Sequence, residues 1–214
     1  KTESEPFYFM DLHTTSSETI PFLTVNDSLL NRKYTKQYPV PIVLGIEEQL
    51  DGPLLSYINE LGYVAFGYEG GQHDDLSSIE NHIAFIYLSL VFTGCIKKED
   101  IDFNHYYELL AKTSIDSREF YEIFYHYKIK KNESFKMNPG FFNFQKLKKN
   151  QILATTDGKN IKALKKGRML MPQYQSQGDD GFFMIRKIHP IYLNLSITIR
   201  KMHIDHILPL LPGV

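Results

Sequence analysis

The stretch YVAFGYEGGQHDD, residues 63–75, decides how the chain is read. Tyr63 to Tyr68 is an apolar, aromatic and β-branched run, which predicts a buried strand. It leads directly into Glu69-Gly70-Gly71, so a carboxylate is expected where the strand ends in a glycine turn open to close approach. Asp74 and Asp75 follow, with Ser77 or Ser78 as N-cap, and the spacing of Ile79, Ile83, Ile86, Tyr87 and Leu90 predicts a helix over 76–92. Strand, turn and helix in succession are the alternation a parallel α/β sheet uses.

Working outward, Phe7 to Leu12 (FYFMDL) reads as a second buried strand, delivering Asp11 and His13 at its carboxyl end. Residues two apart on a strand share a face, so an acid and an imidazole fall in one site. A carboxylate is the usual partner that fixes a metal-bound imidazole, and the same pair also serves as a structural hydrogen bond. Thr14, Thr15, Ser16 and Ser17 form a hydroxyl-rich loop whose donors either hold a substrate or satisfy local backbone groups. Val40 to Leu44 gives a third strand, which Pro39 and Pro41 weaken or assign to an edge. Helices are expected over 47–62 and 102–112.

After Ser117 the chain turns into short segments punctuated by Asn138-Pro139-Gly140, Asp157-Gly158, Lys166-Gly167 and Gln177-Gly178, the pattern of a small all-β unit. Its lysines between 146 and 166 read as solvated strand edges and turns. Ile191 to Leu208 has helical spacing and is expected to pack back on the main domain. The 214 residues carry a net charge of −1, so nothing electrostatic points to nucleic acid or an anionic membrane as partner. The longest apolar stretch, Ile83 to Cys95, falls short of the roughly 20 residues that span a bilayer and reads as a buried helix. Cys95 is the single cysteine, which excludes an intrachain disulfide and suggests a reducing, cytoplasmic setting.

Asp11-Leu12-His13-Thr14-Thr15 after a strand, then a strand ending in Glu69-Gly70-Gly71-Gln72-His73, resemble the succinylglutamate desuccinylase/aspartoacylase family, related to zinc carboxypeptidases. The similarity continues through Met137-Asn138-Pro139-Gly140-Phe141, Leu153-Ala154, Asp157-Gly158, Met171-Pro172-Gln173-Tyr174-Gln175 and Gly178 to Phe183. The resemblance implies that His13 is a zinc ligand, Asp11 the acid behind it, and Glu69 the glutamate that activates water. It further implies that Thr14, Thr15, Tyr174 and Gln175 line the substrate site.

The fold implied is α/β: the latter part of an α/β/α zinc-carboxypeptidase-like domain with a mostly parallel sheet over 1–118. A small β-barrel or sandwich-like domain would follow over 119–188, and a C-terminal helix over 189–214. The activity implied is zinc-dependent cleavage of an amide bond in a small N-acyl amino acid or peptide-like substrate. A non-catalytic ligand-binding descendant and a peptide carboxypeptidase are the other readings. Two departures stand out. The family's His-x-x-Glu zinc pair, expected before the Asp-Leu-His strand, has no counterpart there, as if that N-terminal part were absent; His105 and Glu108 have the spacing but lie beyond both motifs. An arginine expected about ten residues before the glutamate is also missing, since Ser56 to Glu60 stand there, which leaves Arg32 and Arg168 as candidates for a substrate carboxylate.

Overall fold

The computed structural model describes residues 6–46, 54–114, 118–176 and 178–201. An eight-stranded sheet organises them. Its strands are β1 (Tyr8–Thr15), β2 (Phe22–Val25), β3 (Ile42–Leu44), β4 (Val64–Gln72), β5 (Phe120–Lys128), β7 (Lys146–Leu147), β10 (Gly167–Leu170) and β11 (Asp180–Lys187). The spatial order is β1-β4-β2-β3-β5-β11-β10-β7. From β1 to β5 the neighbours are parallel except for β2 against β4, and from β5 to β7 they are antiparallel. A second, three-stranded sheet holds β6 (Phe135–Met137), β8 (Ile152–Thr156) and β9 (Lys159–Lys162). The segment after Ser117 is therefore rich in strands, as its turn pattern predicts, yet β5, β11, β10 and β7 extend the main sheet.

The alternation along β4 explains the layering. Val64, Phe66 and Tyr68 point to one face, where they meet Ala84, Phe85 and Leu88 of α3 (Ser77–Phe92). Tyr68 stacks on Phe85 with ring centroids 4.0 Å apart, and burying a ring of this size contributes about 1.5–3 kcal/mol. Ala65 points to the other face and packs on Leu55 and Ile58 of α2 (Leu54–Glu60). Helices thus cover both faces of the β1-to-β3 half, an α/β/α arrangement. The helix α4 (Phe103–Thr113) starts at Asp102, whose side chain accepts the His105 amide, and α5 (Pro190–Lys201) contributes Leu193 to the same core as α3. Among the described residues no helix is long and apolar enough to cross a membrane.

Several elements differ from their sequence reading. The strand at Phe7 to Leu12 is not buried: among the described residues β1 lies at an edge of the sheet, with Phe7, Phe9 and Leu12 exposed, and it runs on through His13 to Thr15. The strand at Val40 to Leu44 is not an edge. β3 lies between β2 and β5 and is fully buried, because Pro41 sits just before the paired residues and offers only its carbonyl, to the Leu23 amide at 2.9 Å. There is no turn at Glu69-Gly70-Gly71, which continue β4 in pairing with β1 as far as Gln72. The helix at 76–92 forms, with Leu76 rather than a serine at its N-cap, but its buried face is Ala84, Phe85 and Leu88. Ile79, Ile83 and Ile86 face outward, because the small and aromatic positions fit the sheet more closely. Residues 47–53 of the helix expected over 47–62 and 202–214 of the expected C-terminal helix lie outside the described residues, as do 115–117.

Arg32 is neither a surface residue nor a substrate ligand. It lies on α1 (Leu29–Thr35), which sequence patterning did not reveal, is 3% exposed, and forks onto Asp27. Gly70 is needed for packing: a Cβ there would stand 2.2 Å from Cε1 of His82 on α3. Gly70→Ala must push that imidazole away from its 2.7 Å contact with the Ser78 carbonyl and is expected to lower stability by about 1–3 kcal/mol. Urea unfolding measures it, and an unchanged midpoint would show that His82 can leave freely.

Candidate active site

Strand pairing places the site residues side by side. In the parallel register of β1 and β4, His13 stands opposite Glu69 and Asp11 opposite Gly67. On the far side of β4, Phe22 stands opposite Glu69 and Thr24 opposite Gly67. Paired residues share a sheet face, so Asp11, His13 and Glu69 project together, on the α2 side. Gly67 contributes no side chain to this face, and a Cβ there would stand 2.3 Å from Thr24 Oγ1. The register shifts between His13 and Thr15, a bulge of the kind that re-aims side chains beside functional sites.

Above this face lies a cavity of about 600 Å³, within the range of small-molecule sites. Asp11 Oδ2 is 2.7 Å from His13 Nε2, and both side chains are about half exposed. Glu69 is 8% exposed, and its Oε2 has no hydrogen-bond partner among the described residues. Burial pushes its carboxyl up to about 7, opposed by His13 and reinforced by the negative charge of Asp11. A carboxylate so placed can take a proton near neutral pH and return it.

The remaining expected residues divide. Thr14, Thr15 and Gln175 line the cavity. Thr14 Oγ1 is 2.7 Å from His73 Nδ1, and His73 itself lines the cavity. Thr15 donates to the Ser17 carbonyl. The Tyr174 hydroxyl instead accepts the Phe141 amide at 2.9 Å and donates to the Asn138 carbonyl at 2.8 Å, bracing a loop. His105 and Glu108 stay on the outside of α4, where Glu108 pairs with Lys112.

Sequence reading missed three contributors. Asn143, 3% exposed, donates to Ser17 Oγ at 3.0 Å and accepts the Met171 amide, stitching the hydroxyl loop to the strand-rich segment. Asp180 lines the cavity with its Oδ1 2.7 Å from His126 Nε2. Leu54, Leu55 and Ile58 of α2 supply an apolar wall. Single polar residues in turn-rich sequence carry no periodic signal, and their roles arise only from long-range contacts.

Among the described residues, no three His, Cys, Asp or Glu side chains are grouped to hold a metal ion. A catalytic zinc takes about three protein donors and keeps one position for water. His13, oriented by Asp11, fits one corner of such a site, and the described residues alone do not complete it.

No family model matches the sequence, and no curated protein matches it. Solved structures do. Succinylglutamate desuccinylase from Vibrio cholerae superposes with a TM-score of 0.59 at 14% identity, over 85% of this chain and 54% of that one. A succinylglutamate desuccinylase/aspartoacylase from Rhodobacter sphaeroides gives 0.59 at 13% identity, over 85% and 58%. The ectoine utilization protein EutE (DoeB) from Ruegeria pomeroyi gives 0.58 at 16% identity, over 83% and 59%. The fold is therefore a mixed α/β fold of the desuccinylase/aspartoacylase type. The chain spans little more than half the length of these structures.

Proposed function

We propose that this chain carries the proton-transfer half of a hydrolase that cleaves the amide bond of a small N-acyl amino acid or similar acylated amine. The observation that carries the reading is Glu69: a buried carboxyl raised to about 7, with one oxygen lacking a partner among the described residues, on the wall of a small-molecule cavity and beside His13. Glu69 takes a proton from water as its oxygen attacks the carbonyl carbon, then gives that proton to the leaving nitrogen. Thr14 and Gln175 stand on the wall where the acyl or amine group would rest. Segment 119–188 acts as the unit that closes the cavity from above, through Met171, Gln173, Gln175 and Asp180.

Zinc dependence belongs to the same proposal, with His13 as one donor and the others supplied from beyond the described residues. His13→Ala is then expected to abolish retained zinc in the protein that contains the full donor set, measured as the metal-to-protein ratio after exhaustive dialysis. Zinc retained by the variant would remove His13 from the set. Release of amine from a panel of acetyl and succinyl amides tests the reaction itself. Tight binding without release would favour a non-catalytic binding protein on the same fold.

A further inference from the structure

Apart from His13 and His73, the ionisable side chains on the described cavity wall are acids. Asp11, Glu69 and Asp180 contribute carboxylates, and among the described lining residues there is no lysine or arginine. Asp180 is a fixed group: its Oδ1 is held 2.7 Å from Nε2 of His126, a side chain only 10% exposed. That ring stacks on Phe183, another wall residue, at 4.3 Å. Lys128, the residue opposite Asp180 in the β5–β11 pairing, pairs with Asp179 at 3.6 Å. Glu69, also on the wall, is more than nine-tenths buried, and its Oε2 has no hydrogen-bond partner among the described residues. The two arginines that could have met a substrate carboxylate are engaged elsewhere: Arg32 with Asp27 and Ser196, Arg168 with the Phe144 carbonyl and the Tyr121 ring. The wall also holds apolar side chains, Ile46, Leu54, Ile58 and Met171, alongside polar ones such as Thr24, Gln173 and Gln175.

We propose that the amine half of the substrate is a methylene chain ending in a positive charge, as in a monoacylated diamine, and that Asp180 is the residue that recognises this charge. The proposal rests on the amide-hydrolase reading of the site and narrows its substrate class. An acylated acidic amino acid would bring carboxylates against Asp11 and Asp180, and against Glu69 when it is ionised, where like charges repel and select against the ligand. A methylene chain would cover the apolar wall while its ammonium met the carboxylate that His126 holds in place.

Calorimetric titration of the unmodified protein with monoacetylcadaverine and with N-acetylaspartate, at low and high salt, tests the charge preference directly. The diamine derivative is expected to bind at least about tenfold more tightly at low salt, with the margin shrinking as salt screens the wall. Asp180→Asn, which keeps an acceptor for His126, is expected to lower that affinity about fivefold and leave N-acetylaspartate binding no weaker. If the variant does not fold, the salt dependence of the unmodified protein still decides. Equal or tighter binding of N-acetylaspartate, binding of neither ligand, or a salt-independent preference would overturn the proposal. Amine release from both ligands, followed separately, keeps the two ideas apart. Preferential binding without release would sink the hydrolase reading alone, and release from tightly bound N-acetylaspartate would sink the charge assignment alone.

Discussion

Glu69→Gln is expected to lower amide hydrolysis by about 10²–10⁴-fold while leaving retained metal unchanged. Glutamine keeps the size and one acceptor oxygen of the glutamate and loses the ability to take a proton. Direct steady-state assay of amine release measures the effect, and a variant with more than about a tenth of the parent rate would exclude Glu69 as the base. The pH profile gives a second handle on the same group. The base must be ionised to act, and burial holds its carboxyl near 7. Consequently kcat/KM should rise as pH increases through about 7 and level off above it, with no such limb in the glutamine variant. A limb near the ordinary carboxylate range instead would show that Glu69 is solvated during turnover.

The same shift makes a statement about stability. Glu69 has a folded-state value raised from 4.5 to about 7, so the folded chain holds this proton more firmly than the unfolded chain. The stabilising contribution is full below about pH 4.5 and is lost as pH rises through about 7. At 1.36 kcal/mol per unit, ionising the buried group costs the folded state about 3 kcal/mol above that range. Glu69→Gln, carrying no charge, should therefore gain on the parent protein as pH rises and show little difference in acid. Stability given up at a buried carboxylate in a cavity is the ordinary sign of a group placed for chemistry.

Sequence made the two central motifs legible because each is local. Asp11-x-His13 needs only the two-residue period of a strand to share a face, and Glu69 follows a strand whose apolar run is unmistakable. What sequence could not supply was the register that sets His13 beside Glu69, since pairing between residues 56 apart has no local signature. For the same reason β1 read as buried: its aromatic run is apolar, while its place at the sheet edge is a property of topology. The glycines misled in the opposite direction. Gly70 and Gly71 look like a turn, yet they continue a strand, bulged there against β1, that must pass close to His82 and Ser78. Short elements such as β2 and α1, at four and seven residues, are too brief for periodicity to speak. Asn143 and Asp180 entered the site through contacts that join distant segments.

Asp27→Ala is expected to destabilise the fold by about 3–5 kcal/mol, the range for leaving a buried charge without its partner. Arg32 is 3% exposed. Its Nε donates to Asp27 Oδ1, its Nη2 donates to Oδ2 at 2.7 Å, and its Nη1 donates to Ser196 Oγ at 2.6 Å. The guanidinium thus ties the start of α1 to α5 across 164 residues of sequence. Removing the carboxylate leaves the buried cation without its partner, and the Ser196 hydroxyl alone cannot neutralise it. Because the pair is shielded, added salt should change the loss little, unlike that of an exposed pair. Replacing both partners, with Arg32→Met and Asp27→Leu together, should recover much of the loss, since no charge then remains to bury. Guanidinium unfolding of the three variants measures this, and a loss below about 1 kcal/mol for Asp27→Ala would mean that water reaches Arg32. The consequence reaches the cavity, because Asp27 closely follows β2. That strand carries Phe22 and Thr24 against Glu69 and Gly67, so an unpinned Asp27 loosens the strand that backs the proposed base.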